Sequence, residues 1–197
     1  MCVRRYLGAI LLFLMLLGCG DHPRQSFKGT DISGAEFGRG FSLTDHNGRR
    51  VDLQDFRGKL VVVFFGYTHC PDVCPTTLSD MSRAMGLMRK EDAARIQVLF
   101  VSVDPDRDTP EMLKSYVPYF HQSFLGLYGT SEEVASVAKE FRVMYRKHTE
   151  PGAQSYLVDH SAGSYVFDRA GHLRLYLPFA HPPQDIAQDL TTLLLVG

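Results

Sequence analysis

Two apolar runs constrain this chain more than anything else in it. "KLVVVFFGY" (59–67) and "RIQVLFVSVD" (95–104) are β-branched and aromatic, with no charge between their ends. Such runs suit strands buried on both faces, in the middle of a sheet. Between them, "TLSDMSRAMGLMRKE" places Leu78, Met81, Met85 and Met88 at spacings of three and four. That stripe predicts a helix over about 75–90.

The same alternation continues. "TPEMLKSYVPYF" opens as a helix, with Thr109 as cap and Pro110 in the first turn. "FLGLYG" reads as a short strand. "TSEEVASVAKEFRVMYRK" (130–147) reads as one helix, capped by Thr130 or Ser131 with acids in its first turn. "YLVDHSAGSYVFDRAGHLRLYL" reads as three strands, and "PPQDIAQDLTTLLLV" as a closing helix. Ahead of all this, "FSLTDHNGRRVDL" (41–53) has two alternating runs around Asn47-Gly48, a hairpin signal. The expectation is an α/β domain over 38–197, a mixed central sheet flanked by helices, with an additional N-terminal β-hairpin. There is no internal repeat.

At 197 residues, with 45% hydrophobic and 22% charged, the chain fits one domain with a sizeable core. A net charge of -1 gives no field for nucleic acid. The first 18 residues stand apart. "MCVRR" is basic, and "YLGAILLFLMLLG" is too short to span a bilayer, which needs roughly 20 apolar residues. A secretory signal fits better. It ends in "LLGC", a lipobox pattern that makes Cys19 the expected site of lipidation and places the protein on the periplasmic side of a bacterial envelope, lipid-anchored to a membrane. Residues 19–37 read as a flexible polar tether. Cys2 would leave with the signal, so Cys70 and Cys74 remain as the thiols of the domain, in an oxidising compartment.

Cys70 and Cys74 lie where a strand hands over to a helix. Helix N-termini expose unpaired N–H groups and partial positive charge, so both thiols are expected to ionise more easily than usual. A spacing of four can close a small disulfide, run redox chemistry, or turn two sulfurs towards one ion. A static disulfide would close a loop too small to add much stability.

A metal needs a third donor. His69 is next to Cys70, and neighbouring side chains diverge. His22 is in the tether, and His46 in a hairpin turn is expected to be solvated. His121, His148, His172 and His181 fall in loops or helix ends. His160 ends a strand just where the next loop should pass over the cysteines. Two thiolates and an imidazole lean towards copper: three ligands leave zinc one short, whereas Cu(I) accepts three.

Three motifs in order, "GYTHCPDVCP" (66–75), "VSVDPDRDTP" (101–110) and "DHSAGSYVFD" (159–168), resemble the Sco/SenC family of copper-binding proteins from about Phe41 onward. The resemblance implies a thioredoxin-like fold with an added hairpin, and one copper ion, Cu(I) or Cu(II), on Cys70, Cys74 and His160. It implies a metallochaperone serving the CuA centre of cytochrome c oxidase, with its copper-bearing subunit or another cuproenzyme as acceptor and a copper donor protein upstream. Asp72 between the cysteines and Asp104 at a strand end read as supporting or partner-contact residues. Asp104, Asp106 and Asp108 alternate like a calcium loop, but Thr109 stands where such a loop needs glycine. The enzymatic alternative is a thiol–disulfide oxidoreductase that keeps the acceptor's cysteines reduced, with Cys70 attacking and Cys74 resolving. Against it, the loop His160-Ser161-Ala162 lacks the proline of general thioredoxin-like reductases. A peroxidase fits less well still: it needs a threonine three residues before its cysteine and an arginine partner, and "GYTHCPDVC" does not match that spacing.

Overall fold

The computed structural model describes residues 26–149, 151–152 and 155–196. The expected signal, Cys19 and the first part of the tether lie outside them. In chain order the elements are β1 (Thr30–Asp31), β2 (Ser42–Asp45), β3 (Arg50–Asp52), a 3-10 turn (Leu53–Phe56), β4 (Leu60–Gly66), α1 (Val73–Leu87), α2 (Lys90–Ala93), β5 (Ile96–Ser102), α3 (Pro110–Phe120), β6 (Leu125–Tyr128), α4 (Ser131–Glu140), β7 (Tyr145–His148), β8 (Leu157–His160), β9 (Ser164–Phe167), β10 (Leu173–Leu177) and α5 (Pro183–Val196).

Eight strands form one mixed sheet in the order β1-β10-β9-β4-β5-β6-β2-β3, and β7 and β8 form a separate antiparallel pair. The two apolar runs are its central strands. β4 and β5 run parallel from Leu60 opposite Ile96 to Gly66 opposite Ser102, and every residue in both is buried. Burying each large apolar side chain is worth roughly 1.5–3 kcal/mol, so this pair dominates the core. Alternation along β4 sends neighbouring rings to opposite faces. Phe64 meets Phe100, while Phe65 meets Phe141 and Tyr165. α1 packs against α3 and α5.

Four expectations are corrected. Helix α1 begins at Val73, two residues early, so Cys74 lies inside its first turn. The helix expected over 130–147 stops at Glu140, and Tyr145–His148 is strand β7. The stop is a Schellman turn. Arg142 takes φ +55, its N–H reaches the Lys139 carbonyl at 3.1 Å, and the Val143 N–H reaches that of Ala138 at 2.8 Å. His46 is buried, at 7% exposure, because its Nδ1 accepts the Gly126 N–H at 3.0 Å where β2 meets β6. Finally, the segment read as tether is fixed from residue 28: the buried Asp189 carboxylate accepts the N–H groups of Lys28 and Gly29, and Thr30–Asp31 add to β10. A buried carboxylate needs such donors, and this one takes them from the N-terminal segment.

Candidate metal centre

The site is assembled by β4, the loop after it, the start of α1 and the end of β8. A strand of large residues leaves no space above its end, and Gly66 creates it. A Cβ at position 66 would sit 2.6 Å from the Cys74 sulfur and 2.8 Å from the Phe100 ring. The loop then folds back, with the Cys70 N–H bonded to the Tyr67 carbonyl at 3.2 Å. Asp72 stands at the N-cap of α1 but its side chain makes no cap bond. The Cys70 sulfur takes that role instead and accepts the Cys74 N–H at 3.4 Å. Position 70 therefore places its sulfur on the helix end, beside Cys74.

His160 arrives from the opposite side. It ends β8, paired with Tyr145 of β7. Its Nδ1 lies 3.0 Å from the Ser161 carbonyl. Carbonyl oxygens only accept, so Nδ1 carries the proton and Nε2 is left bare. That bare nitrogen lies 3.4 Å from the Cys74 sulfur. Edge-on contacts from Phe64, at 6.1 Å, and Tyr67, at 5.9 Å, fix the ring plane. The ligand atoms of Cys70, Cys74 and His160 all lie within 4.8 Å of one another, the one such cluster among the described residues.

Both cysteines are free thiols, and they differ sharply. The hydrogen bond from Cys74, ahead of those from the Cys74 and Asp72 amides, draws the Cys70 thiol down to about 3. Burial, reinforced by the neighbouring Cys70, pushes Cys74 far above the ordinary thiol range. The expectation that both thiols ionise easily is corrected. The helix end acts on both sulfurs, but Cys74 has no exposed surface and desolvation of its thiolate prevails.

Asp72 is exposed, and its carboxylate accepts the Thr76 hydroxyl at 3.3 Å. Asp104 is buried and touches none of the three donors. It accepts the Tyr156 hydroxyl at 2.7 Å and pairs with Arg107. Two residues that matter were given no role at the site from sequence. Asp108, also buried, accepts the Thr68 N–H at 3.1 Å and its hydroxyl at 2.6 Å, tying the cysteine loop to the start of α3. Tyr67 accepts the Val158 N–H through its hydroxyl at 3.2 Å, tying that loop to β8. A glycine breaking a run of large strand residues at Gly66 was the available signal.

A family model described as SCO1/SenC matches residues 29–195. The chain belongs to the SCO1/SenC family. Among its relatives, the bovine mitochondrial SCO2 homolog is 37% identical over 172 residues, covering 86% of this chain and 65% of that protein. The chain spans 41% to 65% of the length of the bovine, yeast and plant relatives it matches. Apo Sco1 from Thermus thermophilus superposes with a TM-score of 0.76 and 40% identity, over 87% of this chain and 99% of that one. Arabidopsis thaliana ScoI, solved with copper bound, gives 0.75 and 34%, over 81% and 98%. The thioredoxin-like class expected from the motifs is thus that of its solved family members.

Proposed function

We infer that this protein binds one copper ion per chain through Cys70, Cys74 and His160, and that it takes part in assembling the CuA centre of cytochrome c oxidase. The observation that carries this reading is the gathering of two sulfurs and a bare imidazole nitrogen within 4.8 Å. The set is soft, it is three-membered, and it suits copper better than zinc. Solved Sco proteins from Arabidopsis and Bradyrhizobium japonicum hold copper, which supports the reading.

Copper here is cargo. Cys70 is only partly buried and is ionised, so a thiolate of the acceptor reaches the ion first on its side, and Cys74, at the bottom of the site, lets go last. Ligand exchange of this kind needs no covalent change in either protein. The acceptor we propose is the copper-bearing oxidase subunit or another cuproenzyme, with a donor protein upstream. The lipobox at Cys19 supports a lipid anchor on the periplasmic side, and a solved family member from Bacillus anthracis, 26% identical, is described as a lipoprotein.

Copper titration tests the assignment. Wild type, with thiols reduced, should saturate at one ion per chain. His160→Ala should lose Cu(II) affinity sharply, and replacing either cysteine should abolish Cu(I) retention against a chelator. Unchanged Cu(II) affinity in His160→Ala removes that residue from the site.

The unequal cysteines favour a second reading, thiol–disulfide exchange. The Cys70 thiolate would attack an acceptor disulfide, breaking its S–S bond and releasing one acceptor sulfur, which takes a proton from water. Cys74 would then attack Cys70 in the mixed disulfide, its proton passing to the second acceptor sulfur, which leaves as a thiol. The acceptor gains two electrons, and the Cys70–Cys74 pair loses them. Intact oxidase assembly in cells carrying His160→Ala, with the cysteine variants failing, selects this reading.

A further inference from the structure

His160 is carried by a short two-stranded hairpin outside the main sheet, and something other than sheet pairing must hold that hairpin over the cysteines. One cluster does so. Asp104, fully buried, receives Arg107 Nε at 2.5 Å and the Tyr156 hydroxyl at 2.7 Å. The Arg107 guanidinium lies 3.7 Å above the Tyr156 ring and donates through Nη1 to the Tyr156 carbonyl at 3.0 Å. It also lies 5.6 Å from the centre of the Tyr67 ring. Lys147 of β7 brings its Nζ within 3.7 Å of Asp104 and 5.0 Å of the Tyr156 ring. Both strands of the hairpin are thereby fastened to the loop after β5.

We propose that Asp104, Arg107 and Tyr156 form a clamp that positions His160, and that Arg107 is its central positioning residue. Tyr156 sits immediately before β8, four residues ahead of His160. Tyr67, which Arg107 backs, bonds the Val158 N–H and packs edge-on against the His160 ring. Arg107 therefore acts on the imidazole by two routes, the strand and the ring contact. A planar, stacked guanidinium bonded on two edges does this where a lysine cannot. The clamp touches neither sulfur. It should set the affinity for Cu(II), which uses the imidazole, more than for Cu(I), which two thiolates retain. That second consequence rests on the copper reading given above; the mechanical one does not.

The test compares full-length wild type, Arg107→Leu and Tyr156→Phe. In the apo proteins, amide hydrogen exchange at Val158 and His160 should rise about tenfold in Arg107→Leu and by less in Tyr156→Phe, which keeps the ring under Arg107. Amides of Val62 and Leu99 in the central strands should stay as in wild type. With copper, Arg107→Leu should lose Cu(II) about tenfold faster while Cu(I) affinity changes little. Should Arg107→Leu fail to fold, Tyr156→Phe carries the same comparison. Unchanged exchange at Val158 and His160, or equal acceleration across the whole sheet, overturns the clamp. Absence of copper binding by wild type refutes the copper reading instead, and leaves the exchange result to decide the clamp.

Discussion

The sulfur of Cys74 lies 3.4 Å from Nε2 of His160, although 86 positions separate the two residues along the chain. One comes from the first turn of a helix, the other from the last residue of an edge hairpin. Their meeting depends on Gly66 leaving room for the sulfur, on Tyr67 holding the strand, and on the Ser161 carbonyl choosing the tautomer.

Of the two site cysteines, reduced apo protein should be alkylated by iodoacetamide at Cys70 alone. Its thiol ionises at about 3 because Cys74 hydrogen-bonds to its sulfur, so the rate should be flat from pH 5 to 9. An ordinary thiol would instead gain about tenfold per pH unit up to its pKa near 8.5. Cys74 should stay unlabelled in the folded protein, since burial keeps it protonated and out of contact with the reagent. Peptide mapping after labelling reads both outcomes, and a rise through pH 8 at Cys70 contradicts the account.

Gly66→Ala should destabilise the domain by about 1–3 kcal/mol, the usual cost of overpacking a core. The new methyl would meet the Cys74 sulfur at 2.6 Å and Phe100 at 2.8 Å. Urea unfolding gives the loss. Adding Cys74→Ala should recover part of it, because the sulfur is one of the two obstacles; a purely additive double variant would place the strain elsewhere.

Stability should fall as pH drops below about 6.5, in part through His46. Burial lowers its pKa in the folded state, and its Nδ1 must stay bare to accept the Gly126 N–H. The unfolded chain then binds the proton more readily. The stability is complete above the unfolded pKa and is lost as pH falls towards the folded one. His46→Asn keeps an acceptor that does not titrate, so its unfolding free energy should depend less steeply on pH between 7 and 5. Parallel pH profiles for the two proteins would contradict this.

Much of the fold was readable because periodicity is local. The continuous apolar runs of β4 and β5 and the methionine stripe of α1 carry their answer within a few residues. The meeting of His160 with the two cysteines was expected because, in a sheet of thioredoxin-like order, the loop before β9 crosses the start of α1. What escaped was decided by distant partners. The stretch 141–147 has a helix-compatible composition, yet Arg142 at φ +55 ends α4 and the next residues pair with β8. His46 is followed by Asn-Gly and reads as solvated, and only its bond to Gly126 buries it. The opposite behaviour of two cysteines four residues apart follows from burial of one side of a helix turn, which spacing alone does not reveal.

X-ray absorption at the copper edge of the Cu(I)-loaded protein tests the central claim most directly. The account predicts two sulfur neighbours and one nitrogen, the nitrogen vanishing in His160→Ala and the sulfurs in the Cys70→Ser, Cys74→Ser double variant. A coordination shell of nitrogen and oxygen alone, or a spectrum unchanged by that double variant, would contradict it.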